Sequence, residues 1–389
     1  MQSYNVLLVF PHNFFERKNG VQKRYFEFAS WLKGKGFSID LLGLQNFESS
    51  WRNFNAENSN NLINQLMLYN FRIGWIKQQI WYFLSKLKFL PGRQKGQTKI
   101  KLPDHAFPGM IALFNKLIEA KKYDFLIIGY VQWAHLIKGI DSLHGKTILT
   151  MEDCLSRNIA ENHAGMVSVD QLLPEETERV NLFDKVICLS WEEMDCFSKH
   201  TTKPEFHYVP VFMNEVESDP EEPKIYDILF VGSENPSNQR GIKWFFNAVY
   251  PLLNKELKIL CVGKITDFVP EFENVLKVKY VANLEDVYRK SILTFNPLQD
   301  GTGMKVKVIE SLAYGIPIVS TTLGLSGIKP EVKKLFITAD EPLAFAQAIH
   351  GLISDKTLYL EYSKVLKKVF IENFTTEVAV KELDKVFCI

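Results

Sequence analysis

The sequence predicts an α/β protein made of two consecutive parallel-sheet units. Three observations carry that prediction. Short apolar runs alternate with stretches of helical periodicity, first over residues 6–190 and again from residue 226. A linker near 205–225 separates the two series, with Pro204, Pro210, Pro220 and Pro223 among Glu215, Glu217, Asp219, Glu221 and Glu222. A glycine-rich loop follows the apolar run 291–297 and opens a helix, an arrangement suited to an anionic ligand. The length of 389 residues fits two domains, and 46% hydrophobic with 23% charged residues fits a large core, which excludes disorder as the main state.

The elements follow in order. Residues 6–10 are a continuous apolar run stopped by Pro11, the pattern of a strand covered on both faces. After a polar loop, Val21, Tyr25, Phe28, Ala29 and Leu32 recur at helical spacing, and Gly36 supplies a stop. Residues 37–44 form the next strand, so the chain opens with a strand–loop–helix–strand unit. Runs at 124–130, 147–151 and 185–190 extend the same sheet. Past the linker, 226–231 is a strand closed by Gly232, 242–253 a helix, 257–262 a strand closed by Gly263, and 277–281 another strand. Residues 291–297 lead into the glycine loop, then a helix at 304–314 and a strand at 316–320. Helices at 342–353 and 356–387 close the chain, the second broken near Asn373. The predicted domains are 1–210 and 225–370, with 371–389 as a final helix.

One segment departs from the alternation. Residues 62–102 contain Arg72, Lys77, Lys86, Lys88, Arg93, Lys95, Lys99 and Lys101 and no acidic residue, a local charge of +8 in a chain of net +1. Trp75, Ile76, Ile80, Trp81, Phe83, Leu84 and Leu87 are interleaved with these cations. A helix here carries an apolar face flanked by lysines. Two readings stand level: peripheral membrane contact at the headgroup boundary, or a helix docked on the sheet with a solvated basic edge.

Composition and motifs exclude several classes. Lys+Arg 46 against Asp+Glu 45 is no nucleic-acid signature. Cys154, Cys188, Cys196, Cys261 and Cys388 form no CxxC pair, which argues against a disulfide scaffold and for a reducing cytosol. The N-terminal apolar run is short, lacks a basic region and stops at Pro11, so it reads as a strand and not a signal peptide. No apolar stretch is long enough to predict a transmembrane helix. The expected location is cytoplasmic, at the inner face of the cell membrane if the basic segment meets lipid. There is no DxD triplet, phosphate-binding P-loop, HExxH, GxSxG or zinc spacing, and no metal site is expected.

The most informative stretch runs from Pro297 to Thr321. Gly301 and Gly303 let the backbone approach a ligand closely, and the amides at about 303–306 then make a ready anion site. Gly303, Lys307, Glu310 and Tyr314 fall on one helix face; Met304, Val308, Leu312 and Ala313 fall on an apolar one. That face offers a phosphate cradle, a cation for a diphosphate and a carboxylate for two ribose hydroxyls. A solvated Lys307–Glu310 surface pair is the plainer alternative, disfavoured by the surrounding glycines.

The run Gly-Thr-Gly-x-Lys-x-Lys-Val-x-Glu-x-Leu-Ala-x-Gly-x-Pro-x-Val resembles the nucleotide-sugar signature of retaining glycosyltransferases of the family 4 type. Residues 230–244 resemble the opening of that family's C-terminal domain, 281–288 its base-holding segment, and Asn19-Gly20-Val21 its N-terminal glycine loop. The resemblance is strongest over 226–328 and faint over 45–120. It implies the GT-B fold, two Rossmann-like domains facing across a cleft: an acceptor domain, a nucleotide-sugar domain, and a C-terminal helix returning to the first. By motif position it implies that Glu310 binds the ribose, Lys307 meets the diphosphate with Arg240, Gly232 and Ser233 line the diphosphate loop, Val281 offers its backbone to the base, and Gly20 approaches the phosphates. One departure stands out. Many members carry two glutamates with seven residues between them, and the first position here is Thr302; a hydroxyl, or the amides of Gly303 and Met304, would have to make the donor-sugar contact.

In the first half, Gln132 and His135 follow one strand end, and Glu152 and Asp153 follow another, where a sugar or acceptor would reach them. Asp153 and His135 are the candidates for orienting or deprotonating an acceptor hydroxyl. Helix capping is the plainer role for Asp153, and an ordinary helix position that for His135. The expected activity is transfer of a sugar from a nucleotide-diphosphate sugar, UDP or GDP type, to a glycan or lipid-linked acceptor of the cell envelope, with retention, without a metal and without a separate cofactor. The alternatives are a non-catalytic GT-B partner protein, which Thr302 keeps open, and a nucleotide-sugar epimerase, which would release free epimerised sugar.

Overall fold

The structure, a computed structural model, describes residues 4–17, 20–45, 51, 61–70, 100–140, 144–163, 165–216 and 223–388. The chain forms two compact units. The first comprises residues 1–188 and 194–207; the second comprises 189–193 and 208–389. Residues 371–389 therefore fall in the second unit.

Among the described residues the first unit is built on seven strands: β1 (Asn5–Val9), β2 (Ser38–Gln45), β3 (Gln65–Asn70), β4 (Phe125–Gly129), β5 (Lys146–Met151), β6 (Lys185–Cys188) and β7 (Glu205–Tyr208). They lie in the order β3-β2-β1-β4-β5-β6-β7. The five pairings from β3 to β6 are parallel, with Val6 opposite both Ile39 and Phe125. The apolar runs explain this. Leu7, Leu8, Leu42, Ile127, Ile128 and Leu149 are all fully buried, as strands covered on both faces require. The helix Gly20–Gly34 buries Tyr25, Phe28, Ala29 and Leu32 at the expected spacing and ends where Gly36 takes a φ of 86°.

Several first-unit elements were not legible in advance. Gln65–Asn70 is a strand paired with β2, so this part of the basic segment is not helical. Alternation there is hidden because every residue from 66 to 70 is only half-buried. Trp75, Trp81, Lys86 and Lys88 lie outside the described residues, as does Asn19. The structure adds the helix Pro108–Ala120, and His135 lies in the 3₁₀ turn Val131–Ile137. Glu205–Tyr208, assigned to the linker, is a strand whose entry is marked by Pro204.

Among the described residues the second unit has six strands: β8 (Tyr226–Val231), β9 (Ile259–Val262), β10 (Val275–Val278), β11 (Ser291–Asn296), β12 (Ile318–Ser320) and β13 (Ile337–Thr338). Their order is β10-β9-β8-β11-β12-β13, all parallel. Counted within each unit, the second sheet runs 3-2-1-4-5-6, the order of doubly wound dinucleotide-type folds, and the first runs the same with a seventh strand added at its edge. The strand order reverses between β1 and β4 and again between β8 and β11.

Three expectations shift here. The strand placed at 277–281 lies at Val275–Val278, because Val275 enters the core while Tyr280 stands 81% exposed. The helix placed at 242–253 is instead an α-helix Pro236–Trp244, a π turn Phe245–Val249 and a 3₁₀ turn Tyr250–Leu252; Pro251 cannot continue an α ladder. The helix placed at 304–314 begins later, at Val306, so Gly303 and Met304 belong to the loop before it. The closing helices Lys356–Asn373 and Thr376–Phe387 break as the sequence indicates.

Candidate active site

The site of the second unit grows from the two strands flanking its point of reversal, where ligands of open parallel sheets bind. β8 hands over to Gly232 and Ser233. β11 hands over, through Pro297, to the loop 298–305. Close packing holds these loops together. A Cβ on Gly241 would lie 2.9 Å from the Pro297 carbonyl oxygen, so helix Pro236–Trp244 can meet the loop only with glycine there. Gly301 and Gly303 take φ values of 97° and 72°, in the left-handed region.

Asn238 joins the two loops. It is 5% exposed, and its amide group is used on both sides. Nδ2 donates to the Ser233 carbonyl at 3.0 Å, and Oδ1 accepts from Lys307 Nζ at 2.6 Å. Asn235 caps the same helix by accepting the Asn238 N–H at 2.7 Å. Lys307 lies over the Phe230 ring, 4.6 Å from its centroid. Burial, then the Lys305 charge, lowers its amine to about 7, against a smaller opposing pull from Glu310. A cation held in the interior against a ring and an amide is poised for an incoming anion.

Around this pair, Lys305 Nζ donates to the Gly301 and Thr302 carbonyls at 3.0 and 2.6 Å, bracing the glycine loop from within. Arg240 donates to Asp300 from the neighbouring helix. Burial opposes ionisation of Asp300, yet the bonds from Arg240 and Ser237 and the charges of Arg240 and Lys305 hold it below the usual carboxylate range. Arg240 thus reaches the loop as the partner of an acid.

Glu310 lies three residues beyond Lys307. Its Oε2 accepts from the Tyr288 hydroxyl at 3.0 Å. Burial and then the Glu310 charge push the Tyr288 phenol well above its usual value, so it stays a donor. Tyr288 stacks on Tyr314 with centroids 4.6 Å apart, and Val281 packs into the same apolar cluster. Tyr288 thereby ties Glu310 to the apolar cluster that includes Val281, and Asn238 joins Lys307 to Ser233. Thr302 is half-buried, and Met304 turns its side chain inward, its Sδ accepting the Val211 N–H at 3.3 Å.

The first unit gathers a second cluster at the carboxyl ends of β1, β4 and β5. Phe10 stacks on Tyr25 at 3.6 Å between centroids, and Tyr130 takes the left-handed φ of 71°. Arg24, one turn into the helix that begins at Gly20, pairs with Glu152, whose side chain is 3% exposed. Asp153 is exposed, and His135 Nδ1 meets Asp104 Oδ2 at 2.6 Å. Asn238, Tyr288, Asp300 and Arg24 escaped the sequence reading. Each acts by pairing with a residue far away in the chain, and spacing carries no trace of that.

The two sheets and their order define the GT-B fold, and solved structures share it. A mutant of S. aureus TarM in complex with fondaparinux, alpha-GlcNAc-glycerol and UDP is 11% identical, with 99% of each chain covered and a TM-score of 0.66. Anabaena HepE in complex with UDP and glucose is also 11% identical, again with 99% of each chain covered, at a TM-score of 0.63. Residues 225–355, which lie in the second unit, match the family model described as glycosyl transferases group 1. Among curated proteins, an uncharacterized 44.6 kDa protein in the cps region of Klebsiella pneumoniae is 26% identical over 183 residues. That match covers 43% of this chain and 46% of the relative, so the chain spans about half the length of the curated relative it matches.

Proposed function

We propose that the protein transfers a sugar from a nucleotide-diphosphate donor, held in the second unit, to a cell-envelope glycan or lipid-linked acceptor. The observation that carries this is the Ser233–Asn238–Lys307 connection, a buried amine beside a glycine loop at the reversal of a parallel sheet. In this reading the diphosphate lies against Lys307 and the amides of Gly303 and Met304, Glu310 accepts the ribose hydroxyls, and the Val281 backbone meets the base. As the bond from the anomeric carbon to the diphosphate breaks, its electrons pass to the phosphate oxygen. Lys307 and the loop amides stabilise that charge, and no metal is needed for it. The acceptor hydroxyl then bonds to the anomeric carbon and passes its proton to the departing diphosphate oxygen, with retention as the family resemblance implies. UDP in both neighbours supports a UDP donor, and the relative from the cps region supports an envelope acceptor. Membrane contact through residues 62–102 rests on charge and aromatic content alone.

Calorimetric titration with UDP, GDP, CDP and ADP, each beside its sugar conjugates, tests the reading. One nucleotide should bind at micromolar affinity, and Glu310→Ala should weaken it by about 1.5–3 kcal/mol. Absence of binding to all four favours a non-catalytic partner protein.

A further inference from the structure

The residues that hold the glycine loop from behind are not part of the nucleotide site described above. Gly327 lies in the loop after β12 with a φ of 96°. A Cβ built there would sit 2.7 Å from Met304 Cα and 3.1 Å from Met304 N, so Gly327 and Met304 are in direct backbone contact. Both polar groups of Gly327 are gripped from the opposite side. Its N–H donates to Glu192 Oε2 at 2.8 Å. Its carbonyl accepts from the Trp191 N–H at 2.9 Å and from the Tyr208 hydroxyl at 3.0 Å. The other Glu192 oxygen pairs with Lys333. Lys329 lies over the Trp191 and Tyr208 rings, 5.4 and 5.3 Å from their centroids. The Met304 side chain is fixed in turn by the Val211 N–H. Trp191, Glu192, Tyr208 and Val211 all belong to the second unit, although the chain reaches them before that unit's first sheet strand.

We propose that Glu192 is a positioning residue for the nucleotide site: through Gly327 it sets the backbone of Gly303 and Met304 against which the donor diphosphate binds. This rests on the nucleotide-sugar reading. The physical argument is one of rigidity. Gly303 is left-handed and Met304 lies outside the following helix, so helix hydrogen bonds do not fix their amides. Contact with Gly327 does so for Met304, and three hydrogen bonds leave Gly327 one position. A donor site loosened by a fraction of an ångström loses oriented amides without losing any residue that touches the ligand.

The test uses the full chain with Glu192→Ala, Glu192→Gln and Lys333→Ala. Glu192→Ala should raise the Kd for UDP or GDP, whichever the wild type binds, at least tenfold. In turnover it should raise KM for the sugar nucleotide more than it lowers kcat. Glu192→Gln keeps an acceptor for the Gly327 N–H and should recover most of the affinity. Lys333→Ala breaks only the ion pair and should bind as wild type. Hydrogen exchange of the peptide spanning residues 299–306 gives a readout that needs no ligand, and it should quicken in Glu192→Ala alone. Unchanged exchange and affinity in Glu192→Ala overturn the proposal, as does a fall in thermal stability with affinity intact. If the wild type binds no nucleotide and exchange still quickens in Glu192→Ala, the nucleotide reading fails and Glu192 stands as the loop's support.

Discussion

The sharpest consequence of the site is that a diphosphate should bind together with a proton. Lys307 is surrounded by Phe230, Asn238, Lys305 and Glu310, and burial lowers its amine from 10.5 to about 7. At pH 8 the unliganded site is then about 0.9 neutral. An anion at contact distance favours the ammonium and returns the amine to its ordinary range. Binding at pH 8 should therefore take up about 0.9 proton, and affinity should fall nearly tenfold between pH 8 and pH 9. At pH 6 the amine is already charged, and its own share of the uptake should drop to about 0.1 proton. The nucleotide's terminal phosphate is fully ionised at pH 8 and does not mask the effect. Calorimetry of UDP or GDP in buffers of different ionisation enthalpy reads the uptake directly. Lys307→Met, which fills the same apolar slot, should abolish it and weaken binding by about 2 kcal/mol. Uptake near zero in the wild type, or uptake that survives Lys307→Met, refutes the reasoning. The stability of the free protein follows the same shift with a definite sign. The unfolded chain holds this proton up to about 10.5 and the folded chain only to about 7, so the Lys307 contribution rises with pH across that window.

Two further predictions concern the first unit. Glu176 is fully buried and accepts the N–H groups of Leu155 and Ser156 at 2.8 and 2.7 Å, capping a helix from another element. Glu176→Ala leaves those donors unpaired and should cost about 2–4 kcal/mol in denaturant unfolding; a loss under 1 kcal/mol would remove the cap from the account. Arg24→Met strands the buried Glu152 carboxylate and should destabilise by about 3–5 kcal/mol, with much of that recovered when Glu152→Gln is added. No recovery in the double variant would show that Arg24 packs and does not pair.

The sequence by itself determined both sheets in outline. Strands buried on two faces leave unbroken apolar runs, and the helix Gly20–Gly34 leaves its 3.6-residue period, so these elements were legible wherever burial was complete. The glycine loop, Lys307 and Glu310 were also legible, because positive φ values and a cation and an acid on one helix face are local requirements that fix residue type. The half-buried β3 was not legible, nor was the late start of the helix at Val306, where the left-handed Gly303 and an N-cap at Lys305 interrupt the period. Tertiary structure alone decided what each charge faces. It gave Lys307 an amide and a ring, gave Arg240 an acid and Glu310 a phenol, and set Glu192 behind Met304 through Gly327. Those partners lie between 22 and 135 positions apart in the chain, and a contact over that span is fixed by how the layers pack and leaves no period to read.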